Sequence, residues 1–143
     1  MIDDVFTTGA VAGLIANVPA NIFGLIMYRL GISKIFIWQI SATVFVENKD
    51  MNTPPGIFMG AINDYIMAGL KGVLTAYLLY FTGTEFYLFK GIAVSLFFWI
   101  VIFGMILRTN IAGYDPVDPL SNITYLIWHV LLGILTPLLI IYM

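Results

Sequence analysis

Residues 54–81, PPGIFMGAINDYIMAGLKGVLTAYLLYF, decide the fold. A helix crossing the hydrocarbon core needs about 20 mainly apolar residues. This stretch supplies them with two charges inside it, Asp64 and Lys71. Seven residues make almost two helical turns, so the pair shares one face, ~10 Å apart along the axis at ~1.5 Å per residue. An ionisable side chain at bilayer depth costs at least about 2.5–3.5 kcal/mol on insertion scales and therefore faces a partner, a cavity or a pathway. Asp64 and Lys71 are the strongest functional pointer in the sequence.

The same length criterion marks three further spans beside residues 56–81. They are residues 5–30, interrupted by Asn17, Pro19 and Asn21; residues 86–107, the most apolar, with Lys90 near the start; and residues 120–142, with His129 and Pro137. Of the 143 residues 61% are hydrophobic and 10% charged, and mean hydropathy is +0.99. Soluble domains use about 45–50% apolar residues, so too few charges are present to build a water-facing surface. The expected fold is an all-α integral membrane protein, one domain over residues 1–143, with four transmembrane helices and one interfacial amphipathic helix between the first and second. The first apolar stretch follows Asp3 and Asp4 rather than a basic segment and is too long for a signal core, so it is expected to stay as a span.

Net charge is −2 without a Lys/Arg cluster, which gives no footprint for nucleic acid. The absence of cysteine removes disulfides, thiolate catalysis and Cys-ligated metals. No cofactor is expected. His129 is the single histidine, and a zinc site takes at least three protein ligands. Ser95 and Ser121 lack the context of a nucleophile elbow, so the chain is not expected to be an enzyme.

Residues 34–48, KIFIWQISATVFVEN, are too short in their apolar run to span, and Trp38 beside Gln39 suits an interface. They read as an interfacial helix or an elbow packed on the bundle, with a re-entrant segment as the alternative. Arg29, Lys34, Lys49 and Arg108 flank the connections 31–53 and 108–119, against Lys90 on the opposite side. The positive-inside rule puts those connections in the cytoplasm and both termini outside. Asp115 and Asp118 stand close together in TNIAGYDPVDP, residues 109–119. Asp-Pro steps make turns, and calcium would require four or more further oxygens.

Lipid gives helices no hydrophobic drive to associate, so small residues mark the contacts. Gly56, Gly60, Ala68, Gly72 and Ala76 form one row with Asp64, while Gly9, Gly13, Ala16, Ala20 and Gly24 form another. The first two spans are expected to make the central contact, with Asp64 facing inward. The third span is bulky all round and suits lipid or a neighbouring subunit. Tyr77, Tyr80, Tyr87, Trp128 and Tyr142 fit aromatic belts, and Glu85 with Lys90 fits interfacial anchoring.

Counting ~1.5 Å per residue from each midpoint puts Asn21, Asp64 and His129 at similar depth, with Asn17 near the midplane and Lys71 on the far side of it. Asn17 and Asn21 are four apart and share a face, and Pro19 frees a backbone carbonyl one turn earlier. Two expectations follow. Either Asp64 and Lys71 form an internal salt bridge with Asn and His as interhelical glue, or Asn17, Asn21, Asp64, Lys71 and His129 line a polar pathway.

In its second half, AGLKGVLTAYLLYFTG, FKGIAVSLFFWIVIFGMILR and the His-bearing LIWHVLLGIL follow one another with a proline-bearing loop before the last. In this order of features the chain resembles the YagU-like family of small bacterial inner-membrane proteins of unknown function. The resemblance implies a four-helix inner-membrane protein, supplies no activity, and carries over His129 alone, as a packing or site residue. The elbow and Lys71 have no counterpart in it. The leading functional expectation is a structural or accessory subunit of a membrane complex or homo-oligomer among membrane lipids. The alternative is an oligomeric ion channel or proton-linked transporter, since so small a bundle encloses little volume.

Overall fold

The computed structural model describes residues 4–106 and 118–143. Helix α1 covers Val5–Arg29 and a short helix α2 covers Ile37–Ala42. Helix α3 covers Pro54–Thr82, α4 covers Tyr87–Trp99 and winds on as a wider π-helix over Ile100–Ile106, and α5 covers Pro119–Tyr142. Among the described residues four helices are therefore long and apolar enough to cross a membrane, and their ends fall within two residues of the expected spans where described. Leu107, Arg108 and Asp115 lie outside the described residues, as does Asp3.

Local chemistry sets the helix ends. The Asp4 carboxylate accepts the Thr7 amide at 2.7 Å and the Thr7 hydroxyl, satisfying a donor that the first turn leaves free. That hydroxyl and amide hold the Asp4 carboxyl below its ordinary value. Thr53 accepts the Gly56 amide, and Pro54 and Pro55 follow where a helix does not need its N–H groups. Helix α3 stops at Gly83, whose φ of +81° suits a residue without Cβ. Lys90 donates to the Gly83 carbonyl at 2.8 Å and the Thr82 carbonyl at 3.2 Å, a cap on α3 rather than an anchor alone.

The small-residue row on α3 has two occupants. A Cβ on Gly13 would overlap the Ala68 carbonyl, and one on Gly72 would overlap the Gly9 carbonyl. These residues let α1 and α3 cross at backbone contact, as expected. Gly60, however, meets the Trp38 carbonyl and Gly56 the Asp50 carbonyl, so the first half of the row receives the elbow. A second seam joins α4 and α5. Pro137 lacks the N–H that would bind the Gly133 carbonyl, and Gly91 packs directly on that freed oxygen.

The interfacial helix is shorter than residues 34–48. Gln39 caps its start by accepting the Phe36 amide at 2.6 Å, and Thr43 bonds back to the Ile40 carbonyl at 2.7 Å near its end. The chain then turns through Asn48–Asp50 to reach α3. Ile37 and Ile40 are buried against Tyr125, Trp99, Ile102 and Phe103, so the segment is an elbow packed on the bundle. Its approach is tied to the start of α5. Ser121 donates to Asp118 at 2.6 Å and accepts the Lys34 amide at 2.9 Å, and the Tyr125 hydroxyl donates to the Ile35 carbonyl. Asp118, read first as a loop or cation residue, is the N-cap of α5. Chiefly through the Ser121 hydroxyl, its carboxyl is held below the ordinary value.

Leu14, Ile15, Val18, Ile22 and Leu25 on α1, with Phe89 and Phe97 on α4, are exposed. Only 11% of the apolar window of α4 is buried in the bundle, which leaves its bulky side chains free to face lipid or a neighbouring subunit.

Candidate functional site

Asp64 sits ten residues into α3, on the face that α1 and the elbow cover. Asn17 Nδ2 donates to its Oδ2 at 2.7 Å and Asn21 Nδ2 donates at 2.8 Å. Their four-residue spacing stacks them on one face of α1, so one oxygen is held from two successive turns. The Trp38 indole N–H, from the elbow, donates to the same oxygen at 3.3 Å. Asp64 is 4% exposed, and a buried carboxylate needs such donors to offset lost hydration. Three segments distant in sequence thus converge on one atom.

Lys71 is equally buried, at 4% exposure. Among the described residues the one ion pair within 4.0 Å joins Lys49 to Glu47 at 2.8 Å, on the surface, where such pairs contribute about 0–1 kcal/mol. The expected salt bridge from Lys71 to Asp64 is therefore not made. The Lys71 ammonium lies 4.9 Å from the centroid of the Trp128 ring and 5.7 Å from that of Phe98, within cation–π range. Asp64 Oδ2 has three N–H donors of its own, and the Lys71 ammonium has two aromatic rings from α4 and α5.

His129 is buried one residue beyond Trp128. With the proton on Nδ1, that nitrogen donates to the Tyr125 carbonyl at 2.8 Å. The ring packs edge-on against Trp128 at 4.7 Å and Phe103 at 5.9 Å. Asp64, Lys71 and His129 line a single cavity of about 40 Å³, together with Trp128, Asn63 and Phe103. One water needs about 10–15 Å³ on this measure, so there is room for roughly two or three. The wider winding after Trp99 supplies Ile102 and Phe103 to its wall.

All five sequence-derived residues gather in one region, but in two layers. Asn17 and Asn21 hold Asp64 from the α1 side; Lys71 and His129 share the cavity on the α5 side. Trp38 and Trp128 escape a sequence reading that assigns them to interface and belt. The available signal was Gly60, a small residue on the α3 row one turn before Asp64, which marks where a second backbone docks. Tyr80 and Tyr142 remain at the periphery, exposed. Ser95 is buried without a hydrogen-bond partner, and the Ser121 hydroxyl is committed to Asp118 and Lys34.

The fold and site define a multi-pass all-α membrane protein with a small, mainly apolar cavity onto which Asp64, Lys71 and His129 open. Compared with protein families, with curated proteins and with solved structures, the chain matches none.

Proposed function

We propose that the chain is a non-enzymatic membrane protein that moves protons or small ions through the site formed by Asn17, Asn21, Asp64, Lys71 and His129. One observation carries this reading: Asp64 and Lys71 share a cavity with His129 without closing on each other. Contact between two buried charges offsets part of their desolvation, and this pair forgoes it. Here the two charged groups keep room for water, which is what an exchanging site requires. So small a bundle would act as a homo-oligomer, in the inner membrane of a bacterium, with connections 31–53 and 108–119 in the cytoplasm.

The test is proton flux into proteoliposomes under an imposed pH gradient, with Asp64→Asn as the comparison. Flux in the parent protein that falls at least tenfold in the variant supports the reading. A second reading, a structural or accessory subunit of a membrane complex, draws support from the three donors on Asp64 Oδ2 and the glycine seams, which build a rigid core. It predicts a stoichiometric partner on purification in mild detergent, and a lone monodisperse species would count against it.

A further inference from the structure

The amides that hold Asp64 also leave two oxygens without a donor. Asn17 Oδ1 and Asn21 Oδ1 are buried and unpartnered, although a buried amide oxygen ordinarily accepts a hydrogen bond. Each sits on the amide whose nitrogen reaches Asp64 Oδ2 at 2.7 or 2.8 Å. The terminal torsion of asparagine is broad and roughly two-fold, so half a turn of each amide exchanges nitrogen for oxygen at the carboxylate. Three oxygens from two helices would then surround one point, beside a cavity with room for water.

We propose that Asp64, with the side-chain oxygens of Asn17 and Asn21, binds a small monovalent cation of the sodium class in exchange for a proton from Lys71. The inference rests on the ion-handling reading above and names its substrate. Oxygen-only donors select hard cations. A single carboxylate with a lysine in the same cavity supplies too little negative charge for a divalent ion.

Charge balance sets the exchange. Asp64 and Lys71 together are neutral, and an added cation leaves one uncompensated positive charge at a depth where such charges are costly. Neutrality returns when the Lys71 ammonium gives one proton to cavity water and becomes an amine, so one cation enters as one proton leaves. Of the residues lining the cavity, the titratable groups facing Lys71 are Asp64 on its own helix and His129 on α5. The elbow contributes Ile37, Ile40, Ser41 and Val44, and the π-helix contributes Ile102 and Phe103, none of them ionisable. None of the buried residues of α1 titrates.

The test uses the full chain in detergent, titrated with sodium, lithium, potassium or choline chloride in weak buffer. Tryptophan emission and a pH dye are read together, since the Trp38 N–H bonds Asp64 and Trp128 faces Lys71. Sodium should give a saturable emission change and release about one proton per cation bound, with choline inert. Asn21→Ala should raise the half-saturating sodium concentration at least tenfold. Lys71→Met should keep a saturable sodium-dependent emission change, which guards against misfolding as the explanation. Equal responses to sodium and choline, or a sodium response unchanged in Asp64→Asn, would overturn the inference. Asp64-dependent proton flux in vesicles that ignores sodium would also overturn it while leaving the proton-handling reading standing.

Discussion

Lys71 stands two turns from Asp64 on the same helix yet gives its ammonium to the ring of Trp128, 4.9 Å away, rather than to the carboxylate. The arrangement separates two problems that a salt bridge would solve together. Hydrogen bonds from Asn17, Asn21 and Trp38 stabilise the carboxylate; aromatic faces stabilise the cation. Each charge keeps its own partners, and both line one small cavity.

Removing one donor from Asp64 tests the first half of that division. Trp38→Phe keeps an aromatic ring beside Phe36 (5.2 Å between centroids) but deletes the indole N–H. A hydrogen bond to a charged buried group is worth about 1.5–3 kcal/mol, discounted here toward the low end by the 3.3 Å length. Denaturation in mixed micelles should show a loss of about 1–2 kcal/mol. Unchanged stability would mean that the elbow does not hold Asp64.

The glycine seam makes a paired prediction. At Gly13 a Cβ would overlap the Ala68 carbonyl, so Gly13→Ala must push α1 from α3 and should cost about 1–3 kcal/mol. At Gly24 the nearest atom to a Cβ is a Phe36 ring carbon at 3.5 Å. Gly24→Ala should therefore be neutral or stabilising by up to about 1 kcal/mol through helix propensity. Equal effects at the two sites would contradict the close crossing.

Much of this was legible in the sequence, and the limits have physical causes. Asn17, Asn21 and Asp64 meet because helical spacing and small-residue rows fix which faces touch. Both signals are local to a helix and can be read from one segment at a time. The fate of Lys71 was not legible, because a tryptophan in an apolar helix has the same composition whether it faces the lipid interface or the core. Trp128 is 2% exposed, a fact decided by how α5 rotates against α1 and α4. The short length of the elbow's helix escaped for a related reason. Its helix length is set by the Gln39 cap and by docking on Gly60, a tertiary contact that hydropathy does not record.

Acid should loosen the latch between the elbow and α5. The folded-state value of Asp118 is depressed below 3.8, first by the Ser121 hydroxyl. Its contribution is therefore complete above the unfolded value and is lost as pH falls through the folded one. The stability difference between the parent chain and Asp118→Ala should be constant from neutrality to about pH 5 and shrink below pH 4. A difference that persists at pH 2 would assign the effect to packing instead.

Topology is open to labelling. Glu47, in the elbow connection, and Glu85, between α3 and α4, are both exposed. In a chain free of cysteine, a cysteine at Glu85 should react with a membrane-impermeant maleimide added to intact cells, and one at Glu47 should not. The reverse pattern would invert the proposed orientation.

Proton flux in proteoliposomes, compared between the parent chain, Asp64→Asn and Lys71→Met, bears most directly on whether the shared cavity is a working site. Both variants should lower the flux at least tenfold, with circular dichroism and a monodisperse elution profile confirming that each is folded. Flux that is absent from the parent chain, or equal in all three, would contradict the account and leave Asp64 and Lys71 as parts of the core alone.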